Sequence, residues 1–443
     1  MPEQPSAEFP VVIVGGGWAG LAAAVELCNQ GIPVTLLESA RQLGGRARSI
    51  RAGDMVVDNG QHLITGACQS LLSLMEKVHI DHQQAFLRLP LTLKLFKGDK
   101  PSLHLKAPRL PAPLHLLGAL ASARGLSPGD RLQALRFGRK LPSLRIPKTE
   151  DISVQALLHS EAQSPAIIRK LWEPLCIATL NTPVGEASAR IFLRVLRESF
   201  LGLRKHSDLL IPKQELSDLL PRPCTDHLEH NKAHVELGQR VTGLSINEGG
   251  IHSVSVRGRS IDTSHVVLAT PHIITRRLLS RHEPLHALSA QLAGLGNEPV
   301  TTLYLQYAPQ TRSPEAMLGF ENGFSQWLFD RRVCNQPGMM AVVISARGNH
   351  ENIQGDELIK IIAAELAARF PKWPAHQRSL LIREKRATFC SRAGIDCIRP
   401  TNSTPVPGLW LAGDYTATGL PATLESAVRS GTKAAHAILA SLA

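Results

Sequence analysis

The stretch VVIVGGGWAGLAAAVEL, from Val11 to Leu27, decides the expected fold. Val11 to Val14 is a short apolar run rich in β-branched residues, which is typical of a strand buried on both faces of a parallel sheet. Leu21 to Cys28 predicts a helix that ends at Gly31, and Val34 to Leu37 predicts a second strand. A glycine-rich turn therefore joins strand to helix in one βαβ unit.

The turn carries the spacing GxGxxG at Gly15, Gly17 and Gly20. Gly15 permits the tight turn, Gly17 lets the backbone approach a pyrophosphate, and Gly20 allows close helix–strand packing. The helix start attracts the anion, and Glu38 at the end of the second strand can accept hydrogen bonds from ribose hydroxyls. The spacing alone is often just a glycine-rich turn. With the strand, helix and acid it predicts binding of a dinucleotide with an unphosphorylated ribose, as in NAD or FAD.

The length of 443 residues suggests two or three domains at roughly 150 residues each. With 43% hydrophobic and 19% charged residues, the composition is that of a folded globular chain. Aromatic residues are few, at 11 Phe, 5 Trp and 3 Tyr, which disfavours the stacking platforms of single-stranded nucleic-acid binders. We expect no nucleic-acid partner.

The cysteines and the apolar runs bear on location. The 7 cysteines are scattered without a CxxC pair, so neither a disulfide framework nor a metal site is indicated. No basic segment precedes the first apolar run near Pro10, so a secretion signal is not expected. No uncharged stretch reaches the ~20 residues that span a bilayer. We expect a cytoplasmic protein that rests peripherally on the inner face of the membrane.

That membrane expectation comes from the charge distribution. The formal net charge is +12, and Arg88 to Lys148 holds 13 basic residues against two acids, Asp99 and Asp130. The segment also contains the apolar run Pro111 to Leu126. A basic surface with an apolar insertion is typical of a monotopic membrane contact, to which each cation adds roughly 1 kcal/mol. The alternative is a solvated basic subdomain whose leucines face its own core.

Two further strand-rich blocks follow the βαβ unit. VELGQRVTGLSI and IHSVSVRG, split by Glu248-Gly249-Gly250, predict a hairpin before VVLAT, within Val235 to Thr270. Leu409 to Asp414 predicts a buried strand that ends in an acid, and Ala422 to Leu442 predicts a closing helix.

The stretches between these blocks are predicted to be predominantly helical, with strand patches at Val300 to Tyr307 and Met339 to Ser345. We interpret them as insertions. The predicted fold class is α/β, with a discontinuous Rossmann-like nucleotide domain interleaved with a mixed α+β, helix-rich substrate domain. The nucleotide domain takes residues 1–75, 211–280 and 383–443, and the substrate domain takes 76–210 and 281–382.

Two motifs resemble the FAD-dependent amine oxidase and phytoene desaturase superfamily. LGGRARS, Leu43 to Ser49, is similar to its GGR element, and LAGDYTATGLPATLESAVRSG, Leu411 to Gly431, is similar to its closing motif. The resemblance implies FAD rather than NAD, and an amine-oxidase-like two-domain architecture. Only one full GxGxxG is present, so the electron donor stays open.

The resemblance also implies roles for individual residues. Arg46 supports the phosphate and ribityl region, where the alternative is an exposed loop arginine, and Asp414 holds the ribityl chain. The amide of Leu424 stabilises negative charge at N1 and O2 of reduced flavin, and the backbone of Val241 reads adenine. The other implied cofactor contacts are Trp18, Ala19, Ser39, Gly45, Gly60, Gln61, His62, Gly413 and Thr423.

DNGQHLITGA, Asp58 to Ala67, resembles the bacterial squalene-associated branch, the hydroxysqualene dehydroxylases. That resemblance implies a long-chain isoprenoid substrate, hydroxysqualene, which reduced flavin converts to squalene for hopanoid synthesis by hydride transfer. A carotenoid desaturase or isomerase of the same fold is the alternative.

Gln61 and His62 are the candidate catalytic residues, because the resemblance places their loop beside the isoalloxazine. His62 is a candidate general acid; alternatively both side chains only pack around the flavin. Asp58 and Glu425 are expected to be structural. An amine oxidase is disfavoured, because its aromatic cage needs a tyrosine where Thr423 stands.

A lipid carrier without catalysis is a further alternative. The intact glycines together with Glu38, Arg46 and Asp414 argue against it.

Overall fold

The structure is a computed structural model that describes residues 9–442. Residues 1–8, which bear on the expected lack of a secretion signal, and residue 443 lie outside the described residues. Within 9–442 the strands are β1 (Val11–Val14), β2 (Val34–Glu38), β3 (Ser49–Ala52), β4 (Met55–Asp58), β5 (Ile64–Thr65), β6 (Phe86–Leu89), β7 (Thr92–Lys97), β8 (Lys100–Lys106), β9 (Leu209–Pro212), β10 (His234–Leu237), β11 (Val241–Asn247), β12 (Gly250–Val256), β13 (Arg259–Asp262), β14 (Val266–Leu268), β15 (Glu298–Gln306), β16 (Met317–Phe320), β17 (Trp327–Asp330), β18 (Met339–Ser345), β19 (Arg378–Thr388) and β20 (Leu409–Leu411).

The helices lie between these strands along the chain, except α15, which follows β20. In the same residues the α-helices are α1 (Trp18–Cys28), α2 (Gln69–Lys77), α3 (His82–Ala85), α4 (Leu114–Ala121), α5 (Pro128–Lys140), α6 (Val154–Ser160), α7 (Pro165–Ile167), α8 (Glu173–Leu180), α9 (Ala189–Phe200), α10 (Leu216–Leu219), α11 (Pro221–His230), α12 (His272–Leu279), α13 (His286–Ala293), α14 (Gly355–Arg369) and α15 (Leu424–Leu442). A π-helical turn, Ile168–Trp172, joins α7 to α8.

A parallel sheet forms around the glycine-rich turn, in the order β10-β2-β1-β14-β20. Its strands β1 and β2 are buried along their whole length, as their apolar sequences predict. Helices α1 and α15 pack together so closely that a Cβ on Gly431 would lie 2.0 Å from the carbonyl oxygen of Ala19. The predicted α/β fold with a Rossmann-like unit is confirmed.

A second, mostly antiparallel sheet has the order β19-β15-β18-β17-β16-β7-β8. Only the β16–β7 pair in it is parallel. Because side chains alternate along each strand, one face of this sheet packs on α14 through Leu303, Leu305, Val342 and Ile344. The opposite face is free to line a site.

One sequence prediction of local structure is wrong, and another is confirmed only in part. Residues 281–382 are not predominantly helical, because they supply β15 to β18 and part of β19. The predicted hairpin forms between β11 and β12, but its first predicted residues, Val235 to Leu237, belong to β10, which joins the parallel sheet. Gly238, with φ +72°, causes the break, since it turns the chain between β10 and β11.

The predicted division into domains stays a prediction, and β19 crosses its boundary at 382/383. Helix α1 begins at Trp18, earlier than predicted, and the closing helix begins at Leu424 rather than Ala422. No helix within residues 9–442 is long and apolar enough to cross a membrane.

Candidate active site

A cavity of about 810 Å³ extends from the carboxyl ends of the parallel strands to the free face of the second sheet. Ligands of open α/β sheets bind at this edge. The cavity is lined by all the sequence-predicted site residues except Gly20, namely Gly15, Gly17, Trp18, Ala19, Glu38, Ser39, Gly45, Arg46, Gly60, Gln61, His62, Val241, Gly413, Asp414, Thr423 and Leu424.

Gly20 has a different place, inside the turn. A Cβ on Gly20 would lie 1.9 Å from the carbonyl oxygen of Gly15. Gly15 itself has φ +110°, a conformation that other residues rarely adopt. Gly20 therefore lets α1 pack against the turn, as the third glycine of such a motif does.

The nucleotide end of the cavity offers backbone donors. Helix α1 follows Gly17 without a side-chain cap, so its first N–H groups have no partner in the helix. A Cβ on Gly17 would meet only the Cα of Gly45, at 3.9 Å, so the glycine leaves room for an anion there. This is the arrangement that helix N-termini use to bind phosphate.

Glu38 is fixed beside the turn. Its Oε2 accepts a hydrogen bond from the Gly16 amide at 2.8 Å, and its Oε1 accepts one from the Ala40 amide at 2.7 Å and one from the Ser39 hydroxyl at 3.1 Å. A carboxylate has about four acceptor sites, so capacity remains for a ribose hydroxyl.

Arg46 and Asp414 form an ion pair in the wall of the cavity. Arg46 Nη2 lies 2.8 Å from both carboxylate oxygens of Asp414, and its Nη1 donates to the carbonyl of Ala387 at 2.7 Å. The pair joins the GGR loop, the loop after β20 and strand β19. Two positions distant in the sequence are thus brought into contact.

The start of α15 presents another free amide. The hydroxyl of Thr423 accepts from the Ser426 amide at 3.1 Å and so caps the helix. Leu424, the first helical residue, has no carbonyl partner for its N–H within the helix. Val241 is the first residue of β11 and is buried. The cofactor contacts of these residues stay predictions.

The loop after β4 brings His62 and Gln61 to the cavity wall. Nδ1 of His62 lies 2.7 Å from the carbonyl oxygen of Gly60. Because a carbonyl only accepts, Nδ1 carries the hydrogen and Nε2 of the neutral ring carries a lone pair. Burial lowers the pKa of His62, although the Gly60 carbonyl and the charge of Asp58 oppose this shift. A general acid role for His62, which stays a prediction, therefore requires its imidazolium form.

Arg331, which no sequence motif singled out, fixes the position of Gln61 through a hydrogen bond. Its side chain is 1% exposed, and its Nη1 donates to Gln61 Oε1 at 2.7 Å and to Asp58 Oδ2 at 3.0 Å. Asp58 Oδ1 also accepts from the Leu216 amide at 2.8 Å. No local motif marks Arg331, because it follows β17 and reaches the loop only through the fold.

Glu425 and Tyr415 are held by protein groups. The carboxylate of Glu425 accepts from the amides of Ser70 and Leu71 at the start of α2. The hydroxyl of Tyr415 lies 3.1 Å from that of Thr275, and Tyr415 is buried outside the cavity lining. Tyr415 therefore forms no aromatic cage in the cavity.

The chain matches the family described as flavin containing amine oxidoreductase over residues 18–439. It belongs to this family. The protein is an FAD-dependent oxidoreductase. The open anion cradle at Gly17, the fixed carboxylate of Glu38 and the free amide of Leu424 fit FAD.

Several named proteins align with almost the whole chain. Two are named hydroxysqualene dehydroxylase: one from Rhodopseudomonas palustris, 29% identical over 97% of this chain and 98% of its own, and one from Sinorhizobium fredii, 27% identical with the same coverage. A zeta-carotene desaturase of Synechocystis is 24% identical over 98% of both chains.

Solved structures show the same fold. An oxidoreductase from Methanosarcina mazei superposes with a TM-score of 0.76 at 16% identity, covering 96% of this chain and 99% of that one. A putative protoporphyrinogen oxidase from Exiguobacterium gives 0.71 at 16% identity, covering 98% and 100%.

Proposed function

We propose that the protein removes the hydroxyl of hydroxysqualene reductively and releases squalene. Two similar proteins that extend over nearly the whole chain carry the name hydroxysqualene dehydroxylase. The observation that carries the proposal is the shape and chemistry of the cavity floor. It suits a long, apolar substrate with one oxygen.

Every strand of the second sheet contributes to that floor. At the β19 edge are Glu384 and Thr388, near the Arg46–Asp414 pair. Adjacent pairs then continue across the sheet: Val343 with Trp327, Phe329 with Met317, and Leu93 with Leu105. Seven strands spaced by ~4.8 Å extend over about 29 Å, room for a long isoprenoid chain.

The opposite wall is also apolar. It comes from the π-helical turn and from helices α4, α8 and α9, with lining side chains Leu116, Leu120, Leu171, Trp172, Leu175, Ala178, Val195 and Phe200. Such an enclosure excludes water and has few polar groups to fix orientation, as ligand pockets do.

The reaction needs one hydride and one proton. When bound, reduced FAD would supply the hydride for the carbon that loses the hydroxyl. We assign the proton to the imidazolium of His62, whose Nε2 would donate it to the hydroxyl oxygen so that water leaves. The carbon–oxygen bond breaks and a carbon–hydrogen bond forms. His62 is then neutral and takes up a proton from solvent. The next turnover also requires two electrons from an external donor, because the hydride transfer would leave the bound FAD oxidised.

The site residues have matching proposed roles. Gly15, Gly17, Trp18, Ala19 and Gly45 would surround the pyrophosphate, and Glu38 and Ser39 would bind the adenosine ribose. Arg46, Gly413 and Asp414 would hold the ribityl region, and Gly60, Gln61, His62, Thr423 and Leu424 would contact the isoalloxazine. The backbone of Val241 would bind adenine. The proposed domain division assigns the parallel sheet to cofactor binding and the second sheet to substrate.

We further propose that the basic segment 88–148 contacts an anionic membrane surface. Helix α4 lines the cavity with Leu116 and Leu120, while Leu114 is 50% exposed. Leu110, in the segment that precedes α4, is 42% exposed. Three cations of the segment pair with acids outside it: Arg88 with Asp208, Lys94 with Glu315 and Lys140 with Glu161.

The alternative function is desaturation or isomerisation of a carotenoid precursor. The similarity to zeta-carotene desaturases favours it. A desaturase removes hydride from a hydrocarbon and so reduces its flavin, and an isomerase leaves the redox state of its flavin unchanged. The proposed dehydroxylase oxidises its flavin. The redox direction separates the two functions.

The deciding experiment uses the holoprotein, photoreduced without oxygen. Hydroxysqualene should reoxidise the flavin and yield one squalene per flavin. Oxidised holoprotein should not be reduced by phytoene or zeta-carotene. Failure of hydroxysqualene to reoxidise the flavin would exclude the proposed function.

A further inference from the structure

Gln61 is presented to the cavity in a defined orientation. The guanidinium of Arg331 can only donate, so the atom of Gln61 that lies 2.7 Å from it must be the carboxamide oxygen. The NH₂ group then faces away from Arg331. One of its hydrogens goes to the carbonyl oxygen of His62 at 3.1 Å. Among residues 9–442 its second hydrogen has no acceptor.

Arg331 itself has little freedom to move. It is 1% exposed, pairs with the 2% exposed carboxylate of Asp58, and lies over the ring of Tyr304. Its Nε donates to Gln336 Oε1 at 2.5 Å. Breaking a buried ion pair leaves an uncompensated buried charge and is strongly destabilising, so the guanidinium is a fixed reference for Gln61.

His62, the next residue, presents the complementary group. With Nδ1–H bound to the Gly60 carbonyl, Nε2 of the neutral ring is an acceptor. The same loop therefore offers one N–H donor and one nitrogen acceptor to the cavity. With neutral His62, a hydroxyl group can accept from the first and donate to the second; with the imidazolium that the proposed reaction requires, the hydroxyl oxygen accepts from both. A hydrocarbon satisfies neither.

We propose that Gln61 and His62 together recognise the hydroxyl of the substrate, and that Arg331 is a positioning residue that turns the amide N–H of Gln61 toward it. The inference rests on the proposed function and names the group that selects an alcohol over a hydrocarbon. A site built to bond a hydroxyl discriminates strongly against an analogue that lacks it.

The test measures binding without turnover. Oxidised holoprotein is titrated at pH 8 with hydroxysqualene and with squalene in one detergent, and the flavin absorbance reports both dissociation constants. The wild type should prefer the alcohol. Gln61→Met keeps side-chain length but has no donor, so the preference should fall by about 3- to 10-fold with squalene affinity unchanged.

Further variants separate recognition from structure. Gln310→Met, at an exposed glutamine outside the cavity, should leave the ratio unchanged. Arg331→Lys keeps the charge that selects the oxygen of Gln61 and should retain most of the preference. Arg331→Met should lose the preference for the alcohol. If Arg331→Met does not fold, the binding ratio of Gln61→Met decides the test.

Equal wild-type affinities for the two ligands, or an unchanged ratio in Gln61→Met, would overturn the inference. If Gln61 had only a general structural role, Gln61→Met would instead weaken the binding of both ligands equally. Because the binding ratio is independent of turnover, it can hold even if photoreduced protein fails to convert hydroxysqualene. The two proposals therefore fail separately.

Discussion

Glu38 and Asp414 line separate parts of the cavity, and each carboxylate is fixed by hydrogen bonds to its neighbours. We predict that Glu38→Ala and Asp414→Ala each weaken FAD binding by roughly 1.5–3 kcal/mol, because each removes a charge-assisted hydrogen bond. Titration of apoprotein with FAD measures this. Glu229→Ala, which removes an exposed carboxylate on α11, should bind as the wild type does. Wild-type affinity in both cavity variants would contradict the assigned contacts.

The protonation of His62 gives a second prediction at this scale. Burial lowers its pKa below 6.5, so the imidazolium required for proton donation becomes scarcer as the pH rises. The rate of flavin reoxidation by hydroxysqualene should therefore fall as the pH rises above the lowered pKa. General acid help contributes about 10²–10⁴-fold.

His62→Gln is the control for that profile. It should react slowly, without this pH dependence, and with the visible spectrum of bound FAD nearly unchanged. Stopped-flow absorbance from pH 5.5 to 8.5 compares the two proteins. Identical profiles would remove His62 as the proton donor.

Sequence motifs identify the cavity residues that belong to a local pattern in the chain. Gly15, Glu38 and His62 lie in local patterns and were predicted. Arg331 was missed, because its partners Asp58 and Gln61 meet it only after β17 packs beside the β4 loop. A buried arginine without a motif gives no sequence signal.

At the scale of the element, the first turn of α1 separates two roles of glycine. A Cβ on Gly20 would lie 1.9 Å from the Gly15 carbonyl, whereas one on Gly17 would touch only Gly45 at 3.9 Å. Gly20→Ala should therefore destabilise the apoprotein by about 1–3 kcal/mol through overpacking. Gly17, with φ −74°, accepts alanine without backbone strain, so Gly17→Ala should keep apoprotein stability and lose FAD affinity. Thermal unfolding of the apoprotein and titration with FAD check both variants. Equal losses of stability in Gly20→Ala and Gly17→Ala would refute the separate roles of the two glycines.

Helix α5 supports the membrane proposal with a test of its own. Exposed Leu132 is followed at helical spacing by exposed Arg136 and Arg139. Because each cation near an anionic leaflet adds ~1 kcal/mol, Arg136→Gln with Arg139→Gln should weaken vesicle binding roughly 30-fold at low salt. Arg41→Gln with Arg257→Gln, the same charge change at exposed positions elsewhere, should have a smaller effect. Equal binding to neutral and anionic vesicles would exclude the electrostatic contact.

At the scale of the whole molecule, the two sheets differ in how far the sequence predicts them. The parallel sheet follows from short buried runs such as Val11–Val14, each readable alone. The second sheet was missed as a sheet although two of its strands were predicted. Its order depends on pairs such as Gly319 with Leu95, which join distant segments and leave no local pattern.

In the proposed function, the width of the second sheet sets the length of the substrate chain that the cavity can hold. Met317, on β16, lines the cavity toward the β7–β8 edge, while the Arg46–Ala387 contact lies at β19, where we propose the flavin binds. Met317→Trp should therefore shorten the floor and weaken hydroxysqualene binding at least tenfold. A fifteen-carbon isoprenoid alcohol and FAD should bind as before.

Met317→Leu, which keeps the volume, is the matched control and should bind both alcohols normally. Titrations of oxidised holoprotein with each alcohol give the comparison. Because a larger side chain in a packed region costs about 1–3 kcal/mol, thermal unfolding verifies that the variant is folded. Equal weakening of the two alcohols would mean that the long chain does not follow the sheet. Unchanged binding of both would place the substrate tail outside this part of the cavity.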